Sequence, residues 1–98
     1  VRDAADALGA RLGVPCAVAY ASAAPPTAAE AVASLAADRV GVASYFLAPG
    51  LLYDNAMASA RSAGAVVVAP PLGDAPELVA LVAARVRATA PAGLAAVA

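Results

Sequence analysis

The polar side chains that could do chemistry are few, and they fall in three loops of the sequence. Ser22 and Thr27 flank a proline pair, Tyr53 and Asp54 follow a Leu-Ala-Pro-Gly turn, and Asp74 follows Pro-Pro-Leu-Gly. Hydroxyl and carboxylate groups in such loops could bind a ligand or meet a cation, but the chain contains no histidine. Imidazole acid–base catalysis and histidine metal ligation are therefore excluded within this chain.

Each of these polar residues also has an ordinary structural interpretation. Thr27 and Glu30 have the spacing of a capping box, in which each side chain satisfies a backbone N–H group of the other residue. Asp74 precedes a helical segment and is predicted to be its N-cap. Tyr53 and Asp54 open a helix, where the helix dipole favours a carboxylate. The structural interpretation is favoured for this pair, and a ligand-binding role stays open.

The loops that carry these residues are otherwise apolar and rich in proline. Neither a GxGxxG nor a GxxxxGK sequence occurs, so no glycine-rich phosphate loop is predicted. A binding surface formed by apolar, proline-rich loops suits a flat aromatic ligand better than a phosphate group. The single cysteine, Cys16, is predicted to be a small buried apolar residue, and Tyr45 is predicted to lie in the core.

Helical and extended segments alternate along the sequence, and this order predicts an α/β domain with a short parallel sheet. The all-apolar strands are typical of strands buried on both faces. The predicted segments are helix Val1–Leu12, strand Pro15–Ala21, helix Thr27–Asp38, strand Arg39–Phe46, helix Leu51–Ala63, strand Ala65–Ala69 and helix Asp74–Ala88. Ligands bind beyond the carboxyl ends of such strands, so the three loops are expected to share one edge of the sheet.

The sequence opens inside a helix, whereas domains of this class normally open with a strand. We therefore expect a fragment that lacks its first strand, with that strand and a whole preceding half lying upstream. Residues 1–88 are predicted to form an α/β half-domain, and residues 89–98 a flexible C-terminal tail.

Composition narrows the possible partners of the chain. Its 98 residues suffice for one domain. The net charge is −1 and the arginines are scattered, so the clustered basic face of a nucleic-acid-binding protein is not predicted. The longest uncharged run, residues 12–29, is interrupted by Pro15, Pro25 and Pro26, which argues against a membrane span. One cysteine without a partner favours a reducing compartment, and a cytoplasmic location is expected.

Two segments of the sequence resemble a known family when they are taken together. The segment from Val42 to Asp54, VASYFLAPGLLYD, is similar to the YFL-x-x-G segment of the sirohydrochlorin chelatases. The segment from Val66 to Leu78, VVVAPPLGDAPEL, resembles the APPLG-x-x-PEL segment that follows in those proteins. The resemblance covers almost the whole chain, from about Val1 to Ala88.

The resemblance implies a flavodoxin-like, three-layer chelatase fold built of two similar halves or of a dimer of one half. It implies a lyase that inserts cobalt, nickel or iron into sirohydrochlorin in siroheme or cobalamin biosynthesis. The family uses a histidine on the opening strand and often a second one after YFL-x-x-G. Here the opening strand is absent and Leu52 stands at the second position. The chain is therefore expected to be a C-terminal half without catalytic residues, without a metal site and inactive alone.

The resemblance also implies a substrate-binding set in this half, namely Ser22, Leu52, Tyr53 and Asp54. The expected partners are a sirohydrochlorin-type tetrapyrrole and an upstream homologous half or second subunit. No cofactor is expected on this chain, and the divalent metal is a substrate of the parent protein. The alternative is a non-catalytic α/β scaffold or binding domain. A response-regulator-like receiver is disfavoured because Asp54 and Asp74 are not clustered at strand ends.

Overall fold

A computed structural model describes residues 1–22 and 24–89, together with Gly93, Ala95 and Val97. Within this part, the four predicted helices are all present and two short strands form. The elements are α1 (Arg2–Leu12), α2 (Ala28–Ser34), β1 (Gly41–Val42), α3 (Leu51–Ser62), β2 (Val67–Val68) and α4 (Pro76–Thr89).

The ends of the first two helices follow the local sequence. Gly13 ends α1 in the left-handed conformation, with φ of 70°, which glycine adopts without a side-chain clash. The predicted capping box of α2 is confirmed: the Glu30 N–H donates to Thr27 Oγ1 at 3.2 Å, and the Thr27 N–H donates to Glu30 Oε1 at 3.1 Å. Extended backbone at Leu35 ends α2, so the predicted end near Asp38 is wrong.

The start of α4 differs from the prediction. Its first residue is Pro76, which is well suited to that position because it lacks an N–H group and has a helical φ. The residue before Pro76 is Ala75, whose carbonyl oxygen accepts the N–H of Val79 at 3.0 Å. Asp74 therefore lies one residue too early to be the N-cap, and the predicted cap is wrong.

The two strands pair in parallel, as predicted, with Gly41 opposite Val67 and Val42 opposite Val68. Further bonds extend this pairing: Val40 O accepts from the Val66 N–H at 2.9 Å, and Phe46 O accepts from the Leu72 N–H at 2.7 Å. The regular strands are nevertheless much shorter than the predicted Arg39–Phe46 and Ala65–Ala69.

The predicted strand Pro15–Ala21 is not a strand in the structure. Its residues form the apolar run that is typical of a strand, but the sheet of the described residues contains only β1 and β2. Among residues 15–21, the one backbone hydrogen bond to another described residue runs from the Tyr20 N–H to Pro26 O, at 2.9 Å. Within the described part of the chain the segment has no neighbouring strand with which to form a ladder, and this is why the prediction fails here.

The core lies mainly between α2 and α3, where Ala31, Val32, Met57 and Ala60 are buried. Burial alternates along residues 41–46, with the even-numbered side chains covered and the odd-numbered ones exposed. The prediction of strands buried on both faces is therefore wrong, because helices cover one face only. Tyr45, predicted to lie in the core, is 72% exposed on the uncovered face.

The molecule is elongated, with extents of 51 × 30 × 23 Å and a radius of gyration of 16.0 Å. A compact domain of this length would have a radius of gyration of about 13 Å. Helix α4 contributes to this large radius of gyration, since none of its residues is buried against the rest of the chain. No helix in the described residues is long and apolar enough to cross a bilayer. Most of the predicted tail, residues 89–98, falls outside the described residues, and Thr89 belongs to α4.

Candidate functional site

The loops that follow β1 and β2 lie side by side, as the parallel sheet requires. The Leu72 N–H donates to Phe46 O at 2.7 Å, and the Gly73 N–H donates to Leu47 O at 2.8 Å. Residues 47–54 and 69–75 therefore form one continuous surface at the carboxyl edge of the sheet, which we call the loop rim. The predicted convergence of these two loops is confirmed.

Tyr53 holds the two parts of the loop rim together. Its hydroxyl group donates a hydrogen bond of 2.7 Å to the carbonyl oxygen of Ala69, sixteen residues along the chain. Its ring meets the ring of Phe46 edge-on, with centroids 5.5 Å apart and planes at 82°. Edge-to-face contact is a favoured geometry for aromatic pairs. The structure thus gives Tyr53 a positioning role in the rim.

The first turn of α3 presents apolar surface on the rim. Leu51 is 75% exposed and Leu52 is 50% exposed. Asp54 is also exposed. Its N–H donates to Gly50 O at 2.9 Å, and its carboxylate lies in the first turn of α3, where the helix dipole favours negative charge. This part of the rim offers two leucine side chains next to one carboxylate.

Ser22 lies in a different part of the surface from the residues of α3. It lines a shallow hollow of about 320 Å³ together with Tyr20, Ala24, Pro25 and Thr27. Leu52, Tyr53 and Asp54 do not line this hollow. The four predicted substrate-binding residues are therefore not gathered around one cavity of the described chain.

A larger groove separates the extended segment 15–21 from the strand region 40–46. Its volume is about 610 Å³, and α1 and α2 complete its walls. No Asp, Glu, Lys or Arg side chain of the described residues lines it, and we call it the central groove. Its main lining residues are Ala5, Leu8, Cys16, Val18, Tyr20, Ala31, Val32, Val40, Val42, Ser44, Phe46 and Met57.

Two residues of the central groove differ from what the sequence indicates. Cys16 is partly exposed on its wall instead of fully buried. Ser44 is only 8% exposed, and its hydroxyl group has no hydrogen-bond partner among the described residues. A serine inside an apolar run gives no signal of this kind in the sequence, because burial of the hydroxyl depends on how α2 and α3 cover the strand.

The described residues contain no cluster of three or more cysteine, aspartate or glutamate side chains that could hold a metal ion. Asp54 and Asp74 both follow the carboxyl edge of the sheet, but each is exposed to water. The chemistry available at the loop rim is therefore apolar contact with a ligand, and individual carboxylates that could meet a cation.

Comparison with known proteins identifies a family whose sequence pattern the chain shares. The family model CbiX matches residues 1–89, which is nearly the whole chain. Searches of curated proteins and of solved structures returned no significant match.

Proposed function

Since the chain belongs to the CbiX family of sirohydrochlorin chelatases, we propose that it forms one wall of a tetrapyrrole cleft and leaves metal insertion to histidines elsewhere. The family assigns the chain a sirohydrochlorin-chelatase-like role in tetrapyrrole biosynthesis, with a tetrapyrrole substrate. The observation that carries the finer proposal is that the match covers residues 1–89 while the chain has no histidine.

Metal insertion into a tetrapyrrole requires two pyrrole N–H protons to leave as the divalent cation enters. A base near neutral pKa is the efficient acceptor of such protons. Imidazole is absent from this chain, and ordinary carboxylates are weak bases at neutral pH. We propose that a homologous half or a second subunit supplies the base and guides the cobalt, nickel or iron substrate.

The loop rim is the proposed wall of the cleft. Leu51 and Leu52 offer exposed apolar surface to one face of the planar macrocycle, and burying such side chains against a ligand is favourable. Tyr53 supports this surface from behind through its bond to Ala69. Sirohydrochlorin carries several carboxylates, so Asp54 does not meet those groups; it stabilises the start of α3 or meets the incoming cation.

Ser22 is proposed to contact a different part of the ligand from the α3 residues. It directly follows Tyr20 and Ala21, which line both the shallow hollow and the central groove. Its exposed hydroxyl group can donate to a peripheral carboxylate of the macrocycle. Because Ser22 is not in one cavity with the α3 residues, its contact would fall at the edge of the ligand and contribute less than the leucines.

The proposal is tested by titrating sirohydrochlorin with the chain under anaerobic conditions and following its visible absorption. Leu52→Asp places a second carboxylate beside a polyanionic ligand and should weaken binding at least tenfold. Val79→Asp, at an exposed position on α4, is the matched control and should bind as the wild type does. Equal affinity of all three proteins, with helicity unchanged, would contradict the rim as the binding surface.

A further inference from the structure

We propose that Asp54 and Asp74 make the loop rim selective by charge. The two carboxylates leave the leucine surface open to the uncharged plane of a tetrapyrrole, and they repel carboxylates at the periphery of the ring. Among tetrapyrroles with the same ring, the rim therefore favours the form whose peripheral carboxyl groups are neutral. This inference rests on the proposed function, because it concerns which form of the ligand the rim binds best.

The attraction that the rim offers to a ligand is apolar. Leu47 is 66% exposed, Leu51 is 75% exposed and Leu52 is 50% exposed. A flat ring that covers these side chains removes apolar surface from water, which is favourable whatever charge the ring carries at its periphery. The leucines alone therefore do not distinguish a tetrapyrrole with free carboxylates from one whose carboxyl groups are esterified.

Each of the two loops of the rim carries one exposed carboxylate beside this apolar surface. Asp54 lies in the first turn of α3, three residues after Leu51. Asp74 directly follows Gly73, whose N–H donates to Leu47 O at 2.8 Å, and its side chain is also exposed. A ring that covers the leucines therefore brings its peripheral groups close to a carboxylate on either loop.

The loop rim itself contains neither lysine nor arginine to offset these charges. Arg61 lies in the last turn of α3, seven residues after Asp54 and thus about 10 Å away along the helix axis. Arg39 precedes β1 and so lies at the opposite edge of the sheet from the rim. Glu77, exposed in the first turn of α4, adds a further negative charge. The rim is thus negative, although the net charge of the chain is only −1.

The dependence of binding on salt separates this repulsion from the apolar contact. Two like charges about 4 Å apart in water weaken an equilibrium by about fivefold. The screening length is about 10 Å at 0.1 M salt and about 3 Å at 1 M salt, so the repulsion is large in dilute buffer and small in concentrated salt. Burial of the leucines is not weakened by such screening. Binding of the carboxylate form should therefore strengthen as salt is added.

The test compares sirohydrochlorin with its fully methyl-esterified form in anaerobic absorption titrations of the chain, with the same small amount of dimethyl sulfoxide in both. In dilute buffer we expect the ester to bind at least about fivefold more tightly than the acid. At about 1 M sodium chloride this ratio should fall by at least about threefold, because the repulsion is screened. The change of the ratio is the diagnostic quantity, since the added methyl groups contribute apolar area at any salt concentration.

Protein variants assign the effect to the two carboxylates. Asp54→Asn and Asp74→Asn each remove one charge with little change of shape. In dilute buffer each should tighten sirohydrochlorin binding by about twofold to fivefold and leave binding of the ester unchanged. Asp38→Asn is the matched control, because Asp38 is exposed and precedes β1 at the opposite edge of the sheet. It removes the same charge from the chain and should alter neither affinity, and circular dichroism checks the helicity of all variants.

Two results would overturn the charge selectivity and leave the rim as the binding surface. One is a sirohydrochlorin affinity of the wild-type chain that is the same in dilute buffer and in concentrated salt. The other is weaker sirohydrochlorin binding by Asp54→Asn or Asp74→Asn, which would show that the carboxylate attracts the ligand. Absence of binding by the acid and by the ester alike would instead contradict the proposed function, and this inference with it.

Discussion

Replacing Tyr53 with phenylalanine tests the geometry of the loop rim. The change removes the hydrogen bond of 2.7 Å to Ala69 O and keeps the edge-on contact with Phe46. A neutral hydrogen bond contributes about 0.5–1.5 kcal/mol net, and this one is exposed to water, so the lower half of that range applies. We expect the free energy of unfolding to fall by about 0.5–1 kcal/mol, a twofold to fivefold change in the unfolding constant.

Tyr53→Leu extends the same measurement. It removes the hydrogen bond and also the aromatic pair, which adds about 0.5–1.5 kcal/mol beyond the loss of buried area. Urea unfolding followed by circular dichroism measures both variants, and Leu52→Ala, one residue away and half exposed, is the control. If Tyr53→Phe unfolds at the wild-type urea concentration while Tyr53→Leu does not, the bond to Ala69 is not formed in solution and only the ring positions the rim.

Three further substitutions test the fold. Thr27→Ala removes the capping box of α2 and should destabilise the chain by about 0.5–2 kcal/mol in urea unfolding; an unchanged midpoint would refute the cap. Met57→Ala leaves a cavity between α2 and α3 and should cost about 2–5 kcal/mol, whereas a loss below about 1 kcal/mol would show a loosely packed core. Gly9→Ala would normally favour a helix, but its Cβ would meet Val14 O at 3.0 Å; we expect lower thermal stability, and a higher melting temperature would contradict the packing of α1.

The helices could be predicted from the sequence because their signals are local. Apolar spacing, the capping pair Thr27 and Glu30, and Gly13 each act within one or two turns, and the structure has all four predicted helices within its described residues. The errors at helix ends also have local causes. Pro76 and the extended Leu35 moved two boundaries by a few residues.

The strands could be predicted only in part, because a strand needs a neighbour. A parallel sheet containing strands near residues 39–46 and 65–69 was expected, and residues 40–42 do pair in parallel with residues 66–69. Segment 15–21 has the same apolar character, but the central groove separates it from residues 40–46, and it pairs with no strand of the described residues. The exposure of Tyr45 and the burial of Ser44 follow from covering one sheet face only, which composition does not reveal.

The sequence predicted which loops meet at the candidate site, but it did not predict the contacts that their residues make. The two later loops do meet at one edge, as parallel strands require. The role of Tyr53 as a link to Ala69 depends on a contact sixteen residues away, which no local pattern contains. The central groove arises between segments that are distant in sequence, and therefore no single motif signals it.

The most direct test of the central claim is cobalt insertion into sirohydrochlorin by the purified chain. The wild-type chain, the ligand and Co²⁺ are mixed without oxygen, and the absorption of the metallated product is followed against a protein-free control. We predict a saturable spectral change when the chain binds sirohydrochlorin, and no insertion above the protein-free rate, because the chain supplies a wall and no imidazole base. Catalysed insertion by this chain, or no spectral change at any concentration, would contradict the account.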